Sequence, residues 1–335
     1  MKILLDALGG DKAPASTIAG AIEALNTRKD LEIVLAGPEA TLRPMLEKGK
    51  APMDRVSFLE AKQAVLNTDH PSVFLKEKPD SSLAVAFETL RKDDSFAAMV
   101  SAGPTGALLT GTVLRIGRIQ GVLRPGLLAV VPTRTGKVCH LVDVGANMDC
   151  KPEYLYQFAV MADAYLRLSG LASPRIATLS VGMEEGKGNE LSKAAYELIK
   201  ANPKLNFVGN IEGDHVLRGE ADIVICDGFS GNVFLKSLEE GAYFIADLFQ
   251  AAIKKNIITK FGALFQLRHL KKVKEPFNYA SKASSPLLGA KKIVLKCHGK
   301  ADGETLAAAI LKGCELKEKG LLEQIGETLK GQEQD

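Results

Sequence analysis

Short apolar runs alternate with longer segments of helical periodicity along nearly the whole chain. This alternation is typical of βαβ units, so it predicts an α/β fold with a mostly parallel sheet. The predicted strands are Ile3–Leu5, Leu31–Ala36, Val56–Leu59, Phe96–Val100, Leu127–Val131, Val138–Val142, Arg175–Ser180, Asn206–Val208, Ile223–Cys226 and Ile293–Cys297.

Two helices and one hairpin have clear boundary signals. A helix over Pro152–Leu168 begins with proline, which suits the first helical turn, and a second over Asn189–Lys200 is followed by Pro203. The polar segment Thr133–Gly136 lies between two apolar runs and predicts a hairpin. We therefore expect some antiparallel pairing within the sheet.

Four of the apolar runs are followed directly by a turn that contains glycine. Three of them end on an Asp residue, and Ser101 takes the equivalent position in the fourth. The four segments are Ile3–Asp11, Ala97–Leu109, His140–Asp149 and Ile223–Asn232. Open α/β sheets bind ligands beyond the carboxyl ends of their strands, where turn N–H groups and helix N-termini attract anions. The turns predict one anion-binding crevice, although glycine also simply suits βα connections.

Composition is that of an ordinary soluble protein, and the length allows one large α/β domain or two smaller ones. The chain has 335 residues, of which 46% are apolar, and we expect residues 1–335 to form a single α/β domain with a frayed polar tail at 327–335. The net charge of +3, from 43 Lys and Arg against 40 Asp and Glu, does not indicate nucleic-acid binding. We see no apolar leader segment and no stretch long enough to span a membrane, so we expect a cytoplasmic location.

The cysteine and histidine residues show neither disulfide nor metal spacing. Five Cys residues are scattered without a CxxC pair, and Cys139, Cys226 and Cys297 lie within apolar runs, where cysteine packs as a small hydrophobic residue. The five His residues form no paired ligand spacing. We predict reduced cysteines and no bound metal.

Residues 254–274 are unusually basic, with seven Lys or Arg and no acidic residue. Helical spacing places much of the apolar set on one side, which predicts a protruding amphipathic helical arm within residues 240–280. We expect this arm to contact an anionic membrane surface or a partner; the alternative is that its apolar face packs in a dimer or on the core. The expected surface residues are Lys254, Lys255, Lys260, Phe261, Phe265, Arg268, Lys271, Lys272 and Lys274.

Seven segments spread over almost the whole chain resemble the bacterial acyl-ACP:phosphate acyltransferase family, where ACP is acyl carrier protein. They are MKILLDALGGDKAP at the start, SAGPTGALL at 101–109, LVDVGAN with KPE at 141–153, VGMEEGKGNE at 181–190, CDGFSGNVFLK at 226–236, PLLG at 286–289 and KCHG at 296–299. The resemblance implies a three-layer α/β/α sandwich related to phosphotransacetylases and isocitrate-dehydrogenase-like enzymes. It also implies a homodimer that works at the cytoplasmic face of the membrane.

The activity implied by the resemblance is transfer of a long-chain acyl group from acyl-ACP to inorganic phosphate. A membrane glycerol-3-phosphate acyltransferase would then use the acyl phosphate for phospholipid synthesis. Phosphate is itself a nucleophile, which fits a chain without a nucleophile elbow or a Cys–His–acid set. We therefore predict direct attack of bound phosphate on the thioester, without a covalent enzyme intermediate or a cofactor.

Lys187, Asn232 and His298 are the predicted catalytic residues. Glycines on both sides of Lys187 let a ligand approach its ammonium group, and Asn232 is an amide donor at a helix entrance. His298 is a candidate proton donor to the leaving sulfur. The alternatives are a solvated loop lysine, a helix N-cap and a satisfied loop histidine.

Glycines, hydroxyl groups and polar side chains of the turns are expected to bind phosphate or substrate. They are Gly9, Gly10, Asp11, Gly103, Thr105, Gly106, Asn147, Gly188, Asn189, Asp227, Gly228, Ser230 and Gly231. Asp6, Asp143 and Asp227 end buried strands, and we expect them to orient the turns because carboxylates repel phosphate. Asp11 and Asp227 are candidates to position Lys187.

Three other functions remain as alternatives. A short-chain phosphate acyltransferase, acting on acetyl or butyryl groups, would have no use for a membrane arm. An NAD-linked dehydrogenase would be expected to carry a G-x-G-x-x-G turn, and the first βα turn has none. The third is a non-catalytic protein that binds ACP or membrane, because Pro104 and Met183 stand where the family usually has Asn and Thr.

Overall fold

A sheet of eleven strands forms the centre of the computed structural model, which describes residues 1–255 and 283–330. The strands are β1 (Lys2–Asp6), β2 (Glu32–Ala36), β3 (Val56–Leu59), β4 (Phe96–Ser101), β5 (Gly126–Pro132), β6 (Val138–Val142), β7 (Arg175–Leu179), β8 (Asn206–Ile211), β9 (Ile223–Ile225), β10 (Ser285–Leu288) and β11 (Ile293–Lys296). All ten predicted strands are confirmed. The additional strand, β10, has the short sequence SPLL, and a proline argues against a central strand.

Helices pack on both faces of this sheet. They are α1 (Ala15–Thr27), α2 (Glu39–Lys48), α3 (Phe74–Glu77), α4 (Ser82–Lys92), α5 (Thr105–Gly111), α6 (Pro152–Leu168), α7 (Glu190–Lys200), α8 (Gly213–Arg218), α9 (Gly228–Lys254), α10 (Gly303–Glu318) and α11 (Leu321–Lys330). Both helices with clear boundary signals are confirmed. Pro152 begins α6, and the Asn189 side chain caps α7 by accepting a hydrogen bond from the Ser192 N–H over 2.8 Å.

Alternate side chains of the buried strands face two separate hydrophobic cores. In β1, Ile3 and Leu5 pack into the core shared with α1, α6 and α10, whereas Leu4 packs into the core shared with α4 and α5. The fold is therefore the predicted three-layer α/β/α arrangement.

Strand direction reverses across the middle of the sheet. The order is β3, β2, β1, β4, β11, β10, β5, β6, β9, β7 and β8. Both outer parts are parallel, but the three successive pairs β11–β10, β10–β5 and β5–β6 are antiparallel. The last pair is the predicted hairpin, so the mostly parallel, partly mixed sheet is confirmed. As a consequence, β6, β9 and β7 run opposite to β1, β4 and β11.

The helix α9 contains the described part of the predicted arm. It extends over 27 residues, of which only Gly228 and Gly231 are buried. Beyond residue 240, five large apolar side chains are exposed: Tyr243, Phe244, Ile245, Leu248 and Phe249. The predicted surface residues Lys260, Phe261, Phe265, Arg268, Lys271, Lys272 and Lys274 lie outside the described residues.

The last described helix, α11, continues to Lys330 with Leu329 buried. Residues 327–330 of the tail expected to be frayed are therefore helical, and the rest of that tail lies outside the described residues. Within residues 1–255 and 283–330, no helix combines the length and apolarity needed to cross a membrane.

Candidate active site

The first group of turns follows β1, β4 and β11, and the buried carboxylate of Asp6 organises it. Asp6 accepts hydrogen bonds from the hydroxyl groups of Ser82 and Ser101, each over 2.6 Å. Ser101 accepts in turn from the Gly103 N–H over 3.0 Å. Burial raises the pKa of Asp6, while the hydrogen bonds from both serines oppose that shift. Asp6 therefore orients the turns, in agreement with its predicted role.

The turn after β1 requires glycine at two positions. A Cβ atom on Gly9 would lie 2.3 Å from Oδ2 of Asp6. Gly10 has a φ of +105°, and a Cβ atom on it would lie 2.9 Å from the Cβ atom of Ala102. The backbone after β1 can therefore approach the turn after β4 closely.

This group of turns also contains Asp11, Thr105 and Gly106. The Asp11 N–H donates to the Gly299 carbonyl oxygen over 2.8 Å, which joins the turns after β1 and β11. Thr105 and Gly106 begin α5, and Pro104 before them provides no side-chain cap. The N–H groups of this helical turn therefore need another hydrogen-bond acceptor, such as water or an anion.

Lys296, at the end of β11, is a largely buried cation of this group and was not among the predicted site residues. Its ammonium donates to the carbonyl oxygen of Ala102 over 3.3 Å and to that of Cys297. Burial lowers the pKa of Lys296 to about 8, although the carboxylates of Asp6 and Asp11 favour its charged form. The sequence signal was a lysine directly after the apolar run IVL.

The second group of turns follows β6, β9 and β7, and Asp143 takes a role like that of Asp6. Its buried carboxylate accepts from the N–H groups of Ala146 over 3.0 Å and Asn147 over 2.7 Å. The side-chain amide of Asn147 donates to Asp143 over 2.9 Å and to the Pro125 carbonyl oxygen over 2.8 Å. Both amide hydrogens of Asn147 are thus used inside the protein. We conclude that Asn147 holds the turn and does not donate to phosphate.

Asp227, Gly228, Ser230 and Gly231 build the start of α9. Asp227 accepts from the N–H and from the hydroxyl of Ser230, each over 2.8 Å, so it is the N-cap of the helix. Gly228 and Gly231 are buried, and a Cβ atom on Gly228 would lie 2.5 Å from the Asn147 carbonyl oxygen. The side chains of Asp227 and Ser230 therefore stabilise the helix entrance.

Lys187 lies in the loop after β7, a strand that is the parallel neighbour of β9. Its N–H donates to the Glu184 carbonyl oxygen over 3.0 Å, and the Asn210 amide donates to the same oxygen over 2.8 Å. Gly188, with a φ of +106°, leads into Asn189, the cap of α7. The loop is thus anchored by its backbone, while the Lys187 side chain is exposed at the sheet edge where α9 begins.

One face of α9 connects the two groups of turns. Asn232 lies beside Gly145, where a Cβ atom would be 3.8 Å from the Asn232 side chain. Lys236 follows one helical turn later on the same face, and its positive charge lowers the pKa of both Lys296 and His298. The strands before the two groups of turns run in opposite directions, which the sequence did not predict. The turn after β11 nevertheless contacts α9, because the Lys300 ammonium lies over the Tyr243 ring, 5.9 Å from its centroid. The prediction of one anion-binding crevice stays a prediction.

His298 follows β11 and belongs to the first group. Burial, reinforced by the charge of Lys236, lowers the pKa of His298 below its ordinary value. Its Nδ1 accepts from the Lys300 N–H over 3.2 Å, so the neutral ring carries its hydrogen on Nε2. At neutral pH the ring therefore offers a hydrogen-bond donor rather than an acidic imidazolium proton.

The five cysteines are free and remain protonated thiols near neutral pH. Burial raises the pKa of Cys139, Cys150 and Cys297 to about 12, that of Cys314 to about 11, and that of Cys226 well above its ordinary value. Because the thiolate is the nucleophilic form, these side chains do not provide a cysteine nucleophile.

Glu212, Asp214 and His215, around the start of α8, place possible metal-ligand atoms within 4.8 Å of one another. His215 contacts Glu220 over 2.8 Å, and Asp214 accepts from Arg218 over 2.6 Å. We assign these residues to ion pairs on the surface, and the predicted lack of a metal stays a prediction.

Solved structures with a similar fold include phosphotransacetylases. The chain is similar to a phosphotransacetylase from Streptococcus pyogenes, with a TM-score of 0.61 and 17% identity over 94% of each chain. It is also similar to the EutD phosphotransacetylase from Staphylococcus aureus, with a TM-score of 0.56 and 12% identity over 97% of this chain and 94% of the other. These similarities define a phosphotransacetylase-like fold.

Relatives by sequence extend over nearly the whole chain. It is 38% identical over 330 residues to a putative phosphate acyltransferase of Clostridium perfringens strain 13, covering 98% of this chain and 97% of the relative. It is 40% identical, with the same coverage, to a phosphate acyltransferase of Caldanaerobacter subterraneus subsp. tengcongensis. A family model described as fatty acid synthesis protein matches residues 1–324. The chain belongs to this family and is an enzyme of the phosphate acyltransferase type.

Proposed function

We propose that the enzyme transfers a long-chain fatty acyl group from acyl-ACP to inorganic phosphate. The observation that carries the proposal is a pair of lysine side chains, Lys236 on α9 and Lys296 at the end of β11. Lys236 follows Asn232 by one helical turn, and its charge lowers the pKa of the largely buried Lys296. A contact between α9 and the turn after β11 supports this, since the Lys300 Nζ atom lies 5.9 Å from the centroid of the Tyr243 ring.

Charge-assisted hydrogen bonds from two ammonium groups suit a phosphate dianion, and burial strengthens the one from Lys296. Lys236 is exposed and donates to Glu239 over 2.6 Å, so it would share its ammonium between Glu239 and phosphate.

In the proposed reaction, a phosphate oxygen attacks the carbonyl carbon of the thioester. The new C–O bond gives a tetrahedral oxyanion, whose collapse breaks the C–S bond and releases acyl phosphate and the carrier thiolate. Lys187 and Asn232 donate to the oxyanion, and each such donor contributes about 3 kcal/mol to transition-state stabilisation. His298 donates a hydrogen bond from Nε2 to the departing sulfur, which leaves as a thiolate without full protonation.

Phosphate is the nucleophile in this proposal, so no acyl-enzyme forms. The raised pKa values of all five cysteines support this, since none supplies a thiolate near neutral pH. Without a cysteine nucleophile, the groups available for catalysis are cations, side-chain amides and backbone N–H groups. These groups position the substrates and stabilise charge electrostatically.

We further propose that the basic arm binds the acidic carrier protein and the membrane surface. Lys254 and Lys255 are exposed at the described end of α9, and the exposed apolar residues of the same helix support pairing of two copies into a homodimer. The enzyme would then act as a peripheral protein on the cytoplasmic face of the membrane. There it would deliver acyl phosphate to a membrane glycerol-3-phosphate acyltransferase.

Product trapping tests the reaction. With hydroxylamine added, palmitoyl-ACP, phosphate and the enzyme should give more palmitoyl hydroxamate than hydroxylamine forms directly from the thioester, and omission of phosphate should abolish this excess. Acetyl-CoA in place of palmitoyl-ACP should give far less product. Equal product from acetyl-CoA would favour a short-chain phosphate acyltransferase, and no excess from any donor would favour the non-catalytic alternative.

Vesicle sedimentation tests the membrane role. Charge reversal at Lys271 and Lys272 should weaken sedimentation with anionic vesicles, because each cation near the surface contributes about 1 kcal/mol. The same reversal at the exposed pair Lys48 and Lys50 serves as the control. Unchanged sedimentation of the first variant would contradict the membrane role of the arm.

A further inference from the structure

An apolar cavity of about 350 Å³ opens between α5, the turn after β6 and β10. Most of its wall is aliphatic, contributed by Leu109, Val113, Leu114, Pro125, Ala146 and Leu287. Among the described residues that line it, none is acidic. A mainly apolar cavity of this volume lies within the range of sites that enclose small organic ligands.

The backbone after α5 keeps two of these aliphatic side chains out of the core. Residues Thr112–Ile116 form a π-helical turn, an irregularity that is frequent at functional sites. Gly111 faces inward, since a Cβ atom there would lie 2.1 Å from the ring of Phe87. Val113 and Leu114 are 39% and 62% exposed although they are aliphatic. Their position beside a cavity favours contact with an apolar ligand.

The opposite wall is held by hydrogen bonds and leads to the proposed oxyanion donor. Asn147 lines the cavity, and its amide is fixed by the Pro125 carbonyl oxygen and the Asp143 carboxylate. The same turn begins at Gly145, which lies beside Asn232. A chain that fills the cavity would therefore have one end near the amide of Asn232.

We propose that this cavity binds the aliphatic chain of the acyl donor, with the thioester carbonyl held at Asn232. The assignment rests on the proposed function, which supplies a long-chain acyl group as substrate. Each methylene that leaves water favours binding, so affinity should rise with chain length until the cavity is filled.

Filling the cavity tests the assignment through chain-length preference. Val113→Trp should lower kcat/KM for palmitoyl-ACP about tenfold or more and leave kcat/KM for hexanoyl-ACP within about twofold. Leu198→Trp is the matched control, because Leu198 on α7 is also 39% exposed but does not line the cavity. Equal losses with both donors, or no change with either, would overturn the assignment. If Val113→Trp fails to fold by circular dichroism, Leu114→Trp takes its place.

A direct binding measurement does not depend on catalysis. The chain contains no tryptophan, so the indole in Leu114→Trp is a single fluorescent reporter. Dibromostearate should quench its emission saturably and leave that of Leu198→Trp nearly unchanged. Equal quenching in both variants would overturn the cavity assignment. Saturable quenching in an enzyme without acyl transfer would instead uphold the cavity and contradict the proposed function.

Discussion

The Lys296 ammonium donates a hydrogen bond to the Ala102 carbonyl oxygen over 3.3 Å and thereby joins the ends of β11 and β4. Burial disfavours the charged form of this lysine, which is why its pKa falls to about 8. A phosphate anion bound beside Lys296 would stabilise the charged ammonium group and raise the pKa of the lysine again. In the proposed site, Lys296 would therefore couple phosphate affinity to pH.

Phosphate affinity should fall as Lys296 loses its proton. The KM, expressed as the concentration of phosphate dianion so that the titration of phosphate itself is removed, should stay level below about pH 8 and rise above it. A lysine with an unshifted pKa would produce such a rise only near pH 10.4. Lys296→Met should have a high KM at every pH and no step near pH 8. Initial rates measured across this range check the prediction, and an identical pH profile in the variant would contradict it.

Lys236 should act on both phosphate and His298. Removing its charge in Lys236→Ala should raise the KM for phosphate about tenfold or more, since hydrogen bonds to charged groups contribute about 1.5–3 kcal/mol. The pKa of His298, measured by NMR titration, should rise because the positive charge that lowers it is gone. Lys48→Ala on α2 is the control. An unchanged His298 titration in Lys236→Ala would show that the charge of Lys236 does not act on the first group.

Asp227 should matter for stability more than for phosphate contact. Asp227→Ala removes the cap of α9 and should lower the free energy of unfolding by about 1 kcal/mol in urea denaturation. Asp227→Asn should keep most of that stability, because Asn is also a good N-cap. A stable Asp227→Ala variant with weakened phosphate binding would instead indicate that the carboxylate acts on the ligand.

Predicting strands from the sequence succeeded where a short apolar run was bounded by turn residues. All ten predicted strands and the hairpin between β5 and β6 followed from such runs. The four-residue strand β10 did not, because a segment with a proline resembles a loop in sequence. Two of the three antiparallel pairs that reverse strand direction involve β10, so the separation of the turns into two groups could not be predicted either.

The sequence identified several residues of the candidate site, but it did not show the role of each one. Asp6 and Asp143 orient their turns as expected, since a buried carboxylate needs nearby donors. The sequence could not show that both amide hydrogens of Asn147 are used inside the protein. Lys236 and Lys296 were overlooked because their importance depends on α9 lying near β11, a long-range relationship absent from local sequence.

Release of free thiol from palmitoyl-ACP, with and without phosphate, tests the central claim most directly. The wild-type enzyme should release thiol only when phosphate is present, and Lys187→Ala should lower that rate about 100-fold or more through loss of an oxyanion donor. Lys193→Ala, at an exposed position of α7, should retain the wild-type rate. Thiol release that is absent, or indifferent to phosphate, would contradict the proposed acyl transfer. Phosphate-dependent release that survives in Lys187→Ala would remove Lys187 from the mechanism.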